Sequence, residues 1–248
     1  MKKHTSIIIF ILVSILFLLT SCTKKSIKTE PIPYKELQYD VYAISADLKE
    51  KIGTLLFEFI LNSDNTITLL EKREYSVNLI SQDKKDRVEN SREYLLDSRY
   101  SLIKMTETEK INSQENFNST VIVNKLDEYV EIVYTLNSNE KTVVFPNNEI
   151  DISIYTTGQF NLIFYNNIKI SEYNFYYNAT GFVENFFVEK KEILTDTKFR
   201  DRECYIVQNY GNVDNQLWID IENKLILQKQ DYLADDNYIQ TELISIIY

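Results

Sequence analysis

The side chains that most often carry chemistry are scarce in this sequence of 248 residues. It holds two cysteines, Cys22 and Cys204, and one histidine, His4. Cys22 closes the run Leu19-Thr20-Ser21-Cys22, directly after an apolar stretch from Ile7 to Leu19 and a basic start at Lys2 and Lys3. A basic start, a short apolar core and small residues before a cleavage point are the parts of a secretory signal. The apolar run is too short for a comfortable membrane span. Cys204 lies in an apolar, strand-like stretch, where a thiol reads as a small buried residue. With Cys22 at the signal junction, Cys204 has no intramolecular disulfide partner. Loss of residues 1–21 would also remove His4, so a Cys/His pair is excluded from the mature chain.

Leu19-Thr20-Ser21-Cys22, followed by the polar Thr23-Lys24-Lys25, resembles a bacterial lipobox. The resemblance implies that Cys22 is lipidated on sulfur and becomes the first residue of the mature protein, palmitate being a typical acyl chain. Each buried methylene contributes about 0.8 kcal/mol, so two long chains anchor a protein where one does not. The implied location is the cell envelope, on the outer face of the cytoplasmic membrane or on the outer membrane. Thr23 in place of an aspartate favours the outer membrane by the same resemblance. Residues 22–36, with Pro31 and Pro33, read as the anchor and its tether, because proline resists both helix and ladder.

Without its signal the chain has 25 basic against 37 acidic residues, a formal charge of −12. Nucleic acid and anionic lipid heads would repel such a surface. Lack of histidine excludes imidazole-based triads and zinc sites from the mature chain. Four glycines leave little scope for a phosphate-binding loop. The neighbouring acids Asp235 and Asp236, Asp196 and Asp201, and Glu149 and Asp151 read as solvated faces in so acidic a chain. Residues 231–237 lack the glycine and closing glutamate of a calcium loop. No catalytic residue, metal or cofactor is expected, and the protein reads as non-enzymatic. Asn118-Ser119-Thr120 and Asn178-Ala179-Thr180 match a glycosylation acceptor pattern that has no meaning in a bacterial lipoprotein.

Eighteen tyrosines and thirteen phenylalanines against three prolines favour pleated, half-buried strands. Alternation predicts strands over 37–45, 54–61, 66–80, 120–123, 129–136, 141–145, 171–177, 182–194, 203–210, 216–221, 225–232 and 238–248, with weaker pieces at 94–96 and 101–107. Residues 49–53 read as a turn and 81–90 as a charged loop. Between 151 and 167 the spacing of Phe160, Ile163, Phe164 and Asn167 allows a short amphipathic helix, while Phe160, Leu162 and Phe164 would serve a strand equally well. The reading is one mainly β domain over 37–248. It forms a single antiparallel open β-barrel or strongly curved sheet of about eleven strands with one short helix.

That layout resembles the lipoprotein carrier and receptor proteins of the LolA and LolB kind and related exported families. The similarity rests on the mid-chain segment 156–168 and on the closing strands at 204–208 and 217–227, which include Trp218-Ile219-Asp220. It tips 151–167 toward helix and transfers no catalytic residue. Trp218, the sole tryptophan, either fills a core layer or stands with Phe160 and Phe164 at the mouth of a cavity that could hold an acyl chain. Two functions follow: binding of an apolar ligand or lipidated partner in the barrel, or a protein-protein interaction module with a packed lumen. If the lipobox reading is right, Cys22→Ala abolishes incorporation of a palmitate analogue and releases the protein from the membrane fraction. Equal labelling of mutant and wild type would refute it.

Overall fold

A computed structural model describes residues 32–46, 48–81, 84–98, 102–126, 128–146, 173–177, 183–195, 198–209, 215–234 and 237–248. Within them the chain forms one antiparallel sheet of fourteen strands. The first eight are β1 (Glu36–Ser45), β2 (Leu48–Leu61), β3 (Ile67–Ser81), β4 (Lys84–Leu96), β5 (Leu102–Ile111), β6 (Gln114–Lys125), β7 (Tyr129–Leu136) and β8 (Asn139–Pro146). The remaining six are β9 (Tyr173–Tyr177), β10 (Val183–Leu194), β11 (Arg202–Asn209), β12 (Asn215–Asp220), β13 (Ile226–Ala234) and β14 (Asn237–Ile247). Each run is a meander, and β1 pairs with β14 to join them: the order is β8 through β1, then β14 back to β9. Among the described residues no ladder joins β8 to β9, so the sheet is open. None of these residues forms a helix long and apolar enough to cross a membrane.

The expected class, mainly β and antiparallel, is what the sheet shows, but fourteen strands replace about eleven. The helix expected at 151–167 lies outside the described residues. Charged segments that pair as strands lengthen two of them. Residues 84–90, expected in a loop, begin β4, and Lys49 to Lys51, expected in a turn, lie within β2. Their charges meet opposite charges on other strands. Arg87 lies 3.2 Å from Glu74, Lys51 lies 2.7 Å from Asp40, and Lys85 pairs with Glu50. Cross-strand ion pairs suit a solvated sheet face, so a charged strand needs no apolar alternation there.

Two hairpins turn on the same device. Asn112-Ser113 and Asn137-Ser138 hold positive φ at both positions, as a two-residue hairpin turn of the primed type requires. Each asparagine also sews its turn to the strand beyond. The amide of Asn137 donates to the Asn118 carbonyl at 3.1 Å, and its Oδ1 accepts from the Asn118 amide at 3.1 Å. Asn112 makes the same pair of bonds with Arg87, at 2.8 and 3.0 Å.

The inner face of the sheet carries the main core, with Leu37, Tyr39 and Val41 of β1, Leu55, Phe57 and Phe59 of β2, and Val130 and Ile132 of β7. Ile206, Trp218 and Leu227 bring β11, β12 and β13 into the same cluster. Residues 32–36, assigned to the tether by sequence, already belong to the domain: Tyr34 is buried, edge-on to Phe59 at 5.0 Å. We call the end of the sheet where Lys35 enters β1 the entry end. It carries the connections β2–β3, β4–β5, β6–β7 and β12–β13. On β11–β13 the opposite face is buried as well, by a second cluster that includes Tyr205, Val207, Leu217 and Ile219.

Gly53 sets how closely β2 can lie against β3. A Cβ there would stand 2.1 Å from the Glu74 carbonyl oxygen and 2.7 Å from Tyr75 Cδ1. It sits where the β1–β2 register shifts, opposite Val41, a place where glycine admits close backbone approach. Gly53→Ala should cost about 1–3 kcal/mol through overpacking, measured by urea denaturation. An unchanged midpoint would mean that β2 does not approach β3 this closely.

Candidate functional site

Register across β3, β4, β5 and β6 aligns Glu71 with Arg92, Arg92 with Glu107, and Glu107 with Ser119. All four lie on the inner face, because they share parity with buried neighbours such as Leu69, Tyr94, Met105 and Val121. The row on the entry side is apolar, running Leu69, Tyr94, Met105, Val121. On the other side Arg73 faces Asn90. The inner face thus passes from an apolar floor to a charged band within one strand repeat.

Glu71 is 0% exposed. It accepts the Tyr94 hydroxyl at 2.9 Å and pairs with Arg73, while Arg92 Nη1 stands 3.7 Å away. Glu107 accepts from Arg92 at 2.7 Å, from Asn90 Nδ2 at 2.8 Å and from the Ser119 hydroxyl at 3.4 Å. Two arginines and two glutamates make the band neutral overall. Burial works against charge on both arginines and Arg73 works against Arg92. Even so, the carboxylates beside them, with Tyr94, raise both pKa values above the ordinary arginine value. The guanidinium groups therefore stay charged throughout the accessible pH range and can neither give nor take a proton. These two groups supply fixed positive charge on the inner face. Asn90 is 6% exposed, and its Oδ1 has no hydrogen-bond partner among the described residues.

A second concave feature opens at the entry end. A pocket of about 200 Å³ lies beside the β12–β13 turn, with Phe199, Leu225, Leu227, Ile246 and Tyr248 as apolar walls and Arg202 and Asp220 as polar ones. Asp220 builds the turn. Its Oδ1 accepts the Glu222 amide at 2.9 Å, its Oδ2 accepts Asn223 Nδ2 at 2.8 Å, and its carbonyl accepts the Lys224 amide at 2.8 Å. Lys224 holds φ 57° to bring the chain back. A shallower pocket of about 230 Å³ crosses the outer faces of β3, β4 and β5 beside Lys72, Ser91 and Glu93.

Of the residues singled out by sequence, Trp218 is 8% exposed and packs in the inner cluster with Cys204, Ile206, Leu225 and Leu227. Phe160, Phe164 and Cys22 lie outside the described residues. Cys204 is fully buried, and burial, then the charge of Asp220, pushes its thiol up to about 12. That thiol stays protonated near neutrality. Sequence reading missed the charged band. The signal was a charge at the same parity as flanking apolar residues, as in Leu69, Glu71, Arg73 and Tyr75, but only register brings the opposite charges together.

The solved structure of a beta-barrel-like protein of domain of unknown function DUF1849 from Brucella abortus has a similar fold. It superposes with a TM-score of 0.63 over 87% of this chain and 98% of that one, at 12% sequence identity. At that identity the likeness establishes the fold alone: a mainly β, barrel-like antiparallel sheet. No protein-family profile matches the sequence. No curated protein matches it either.

Glu71→Gln should cost about 3 kcal/mol, because it leaves arginine charge on the inner face without its counter-ion. Glu58→Gln, which removes an exposed pair with Lys72 at 3.1 Å, should cost less than about 1 kcal/mol. Urea unfolding of the two variants side by side is the check, and equal losses would deny the band its structural weight.

Proposed function

We propose that the protein is a bacterial envelope lipoprotein, held on a membrane through Cys22, whose barrel-like domain is a non-enzymatic interaction module. The carrying observation is the inner face, where Leu37, Tyr39, Phe57, Leu69, Tyr94 and Ile132 are at most 1% exposed. Side chains of that size fill the floor of a curved sheet, and the charged band above them disfavours an acyl chain further along. Contacts with other molecules then fall to the outer faces, the rims and the edge strands β8 and β9. Unpaired strand edges are a recurring means of docking a partner chain.

A second reading rests on the entry-end pocket, whose apolar walls and single arginine suit the end of an acyl chain. In that reading the protein takes up an apolar ligand or the lipid of a partner, as the resemblance to LolA and LolB implies, with Phe160, Phe164 and Trp218 as candidate contacts. Mass spectrometry of organic extracts from natively purified protein separates the two. The interaction module yields no stoichiometric lipid beyond the Cys22 anchor. A bound fatty acid or phospholipid near one per chain overturns it in favour of the ligand reading.

A further inference from the structure

We infer that the entry end of the sheet rests on the membrane itself, with its apolar rim in the headgroup region of a zwitterionic bilayer; this builds on the Cys22 anchor of the proposed function. Both ends of the sheet carry exposed apolar residues, and the chain from the anchor arrives at the entry end. At the entry end Ile60, Leu61, Leu126, Tyr129, Ile247 and Tyr248 are all exposed, Leu61 to 72% and Tyr248 to 66%. At the far end Leu48, Leu136, Tyr232 and Leu233 are exposed too, but they stand among the Asn112-Ser113 and Asn137-Ser138 turns and the charged Lys49, Glu50, Lys85 and Arg87.

Four of the entry-end residues are brought together by strand pairing at the ends of β2 and β14, while Leu126 and Tyr129 lie further along the same end, at the β6–β7 turn. Ile60 and Leu61 end β2, and Ile247 and Tyr248 follow one another at the end of β14. The start of β1 lies between these pairs, with Glu36 opposite both Ile247 and Glu58. Lys35 fixes the entry point by donating its amide to the Ile247 carbonyl at 2.7 Å and accepting the Phe59 amide at 2.8 Å. The chain from the anchor therefore joins the domain in the middle of the patch.

Tether length then selects the end that faces the lipid. Twelve residues lie between Cys22 and Lys35, and a flexible linker of that length would span about 20 Å on average. A strand of fifteen residues such as β3 is about 50 Å long. The entry end is thus held near the bilayer while the far end is carried away from it. Burial of apolar side chains at the acyl boundary favours contact. The acidic surface restricts it to lipid of low net charge, because anionic heads repel a chain of charge −12.

The test uses the acylated mature chain on phosphatidylcholine vesicles, with an environment-sensitive fluorophore on Leu61→Cys, Ile247→Cys or Leu233→Cys. Cys204 is buried and leaves the label to the introduced thiol. Labels at 61 and 247 should shift to the blue and be quenched by spin-labelled lipid, while the label at 233, next to the β13–β14 turn at the far end, should not. Aqueous emission from all three while the protein sits on vesicles would overturn the inference. A second arm titrates the same vesicles into unacylated Cys22→Ala chain. Partition should weaken about tenfold in a Leu61→Asp, Ile247→Asp double variant, and weaken also as anionic lipid is added. These two sites are exposed, so the unfolding midpoint should hold and a loss of partition reports the rim. Failure of acylation in cells with rim partition intact would sink the lipoprotein reading and leave this one. Dimerisation in the ultracentrifuge that Leu61→Asp abolishes would assign the face to a second copy and sink this one instead.

Discussion

The antiparallel ladder between β1 and β14 is the constraint on which the rest of the sheet depends. Every other ladder among the described strands joins neighbours in sequence, whereas this one brings Tyr39 opposite Leu243. Its entropy cost rises only with the logarithm of the intervening length, but it must be offset by contacts made at the seam. Tyr39 supplies several. Its ring meets Phe57 edge-on at 5.8 Å, which holds β2, and its hydroxyl reaches past β14 to the Ile226 carbonyl at 3.0 Å. One buried side chain thus touches strands on both sides of the seam, and two meanders become one sheet.

The charged band answers a different problem, that of register in long hairpins. β3 and β4 are fifteen and thirteen residues long, and a slip of two residues would keep every side chain on its own face. Apolar packing alone resists such a slip weakly, because Leu, Val and Tyr can exchange places at modest cost. A charge inside the sheet cannot. After a two-residue slip Glu71 would face Tyr94 or Asn90 in place of Arg92, and a buried charge would lose its counterpart. Fixed charges pay for themselves here through uniqueness of pairing, the best attested role of buried ion pairs.

The same layering gives this part of the sheet a polarity from end to end. On the inner face of β3 to β6 the apolar row lies toward the entry end and the charged band toward the far end. The turns follow suit: Asp220 caps a tight turn beside apolar walls at the entry end, while asparagine–serine turns close two hairpins at the far end.

Much of this architecture was legible in the residues themselves. Alternating aromatic and branched side chains, turn residues at Asn62–Asn65 and Asn137-Ser138, and scarce proline determine a mainly β antiparallel chain, because period-two burial is a local property. The lipobox resemblance at Cys22 is equally local, a matter of order along the chain. Strand length was not legible where charge replaces apolar alternation, as in Lys84–Asn90, because such segments are stabilised by ion pairs whose partners lie on other strands. Nor was the β1–β14 seam, since no short-range pattern in either strand names the other. Glu71, Arg92 and Glu107 read separately as three solvated charges. Only the tertiary structure, by setting the register of four strands, makes them one row of alternating charge with apolar side chains below it.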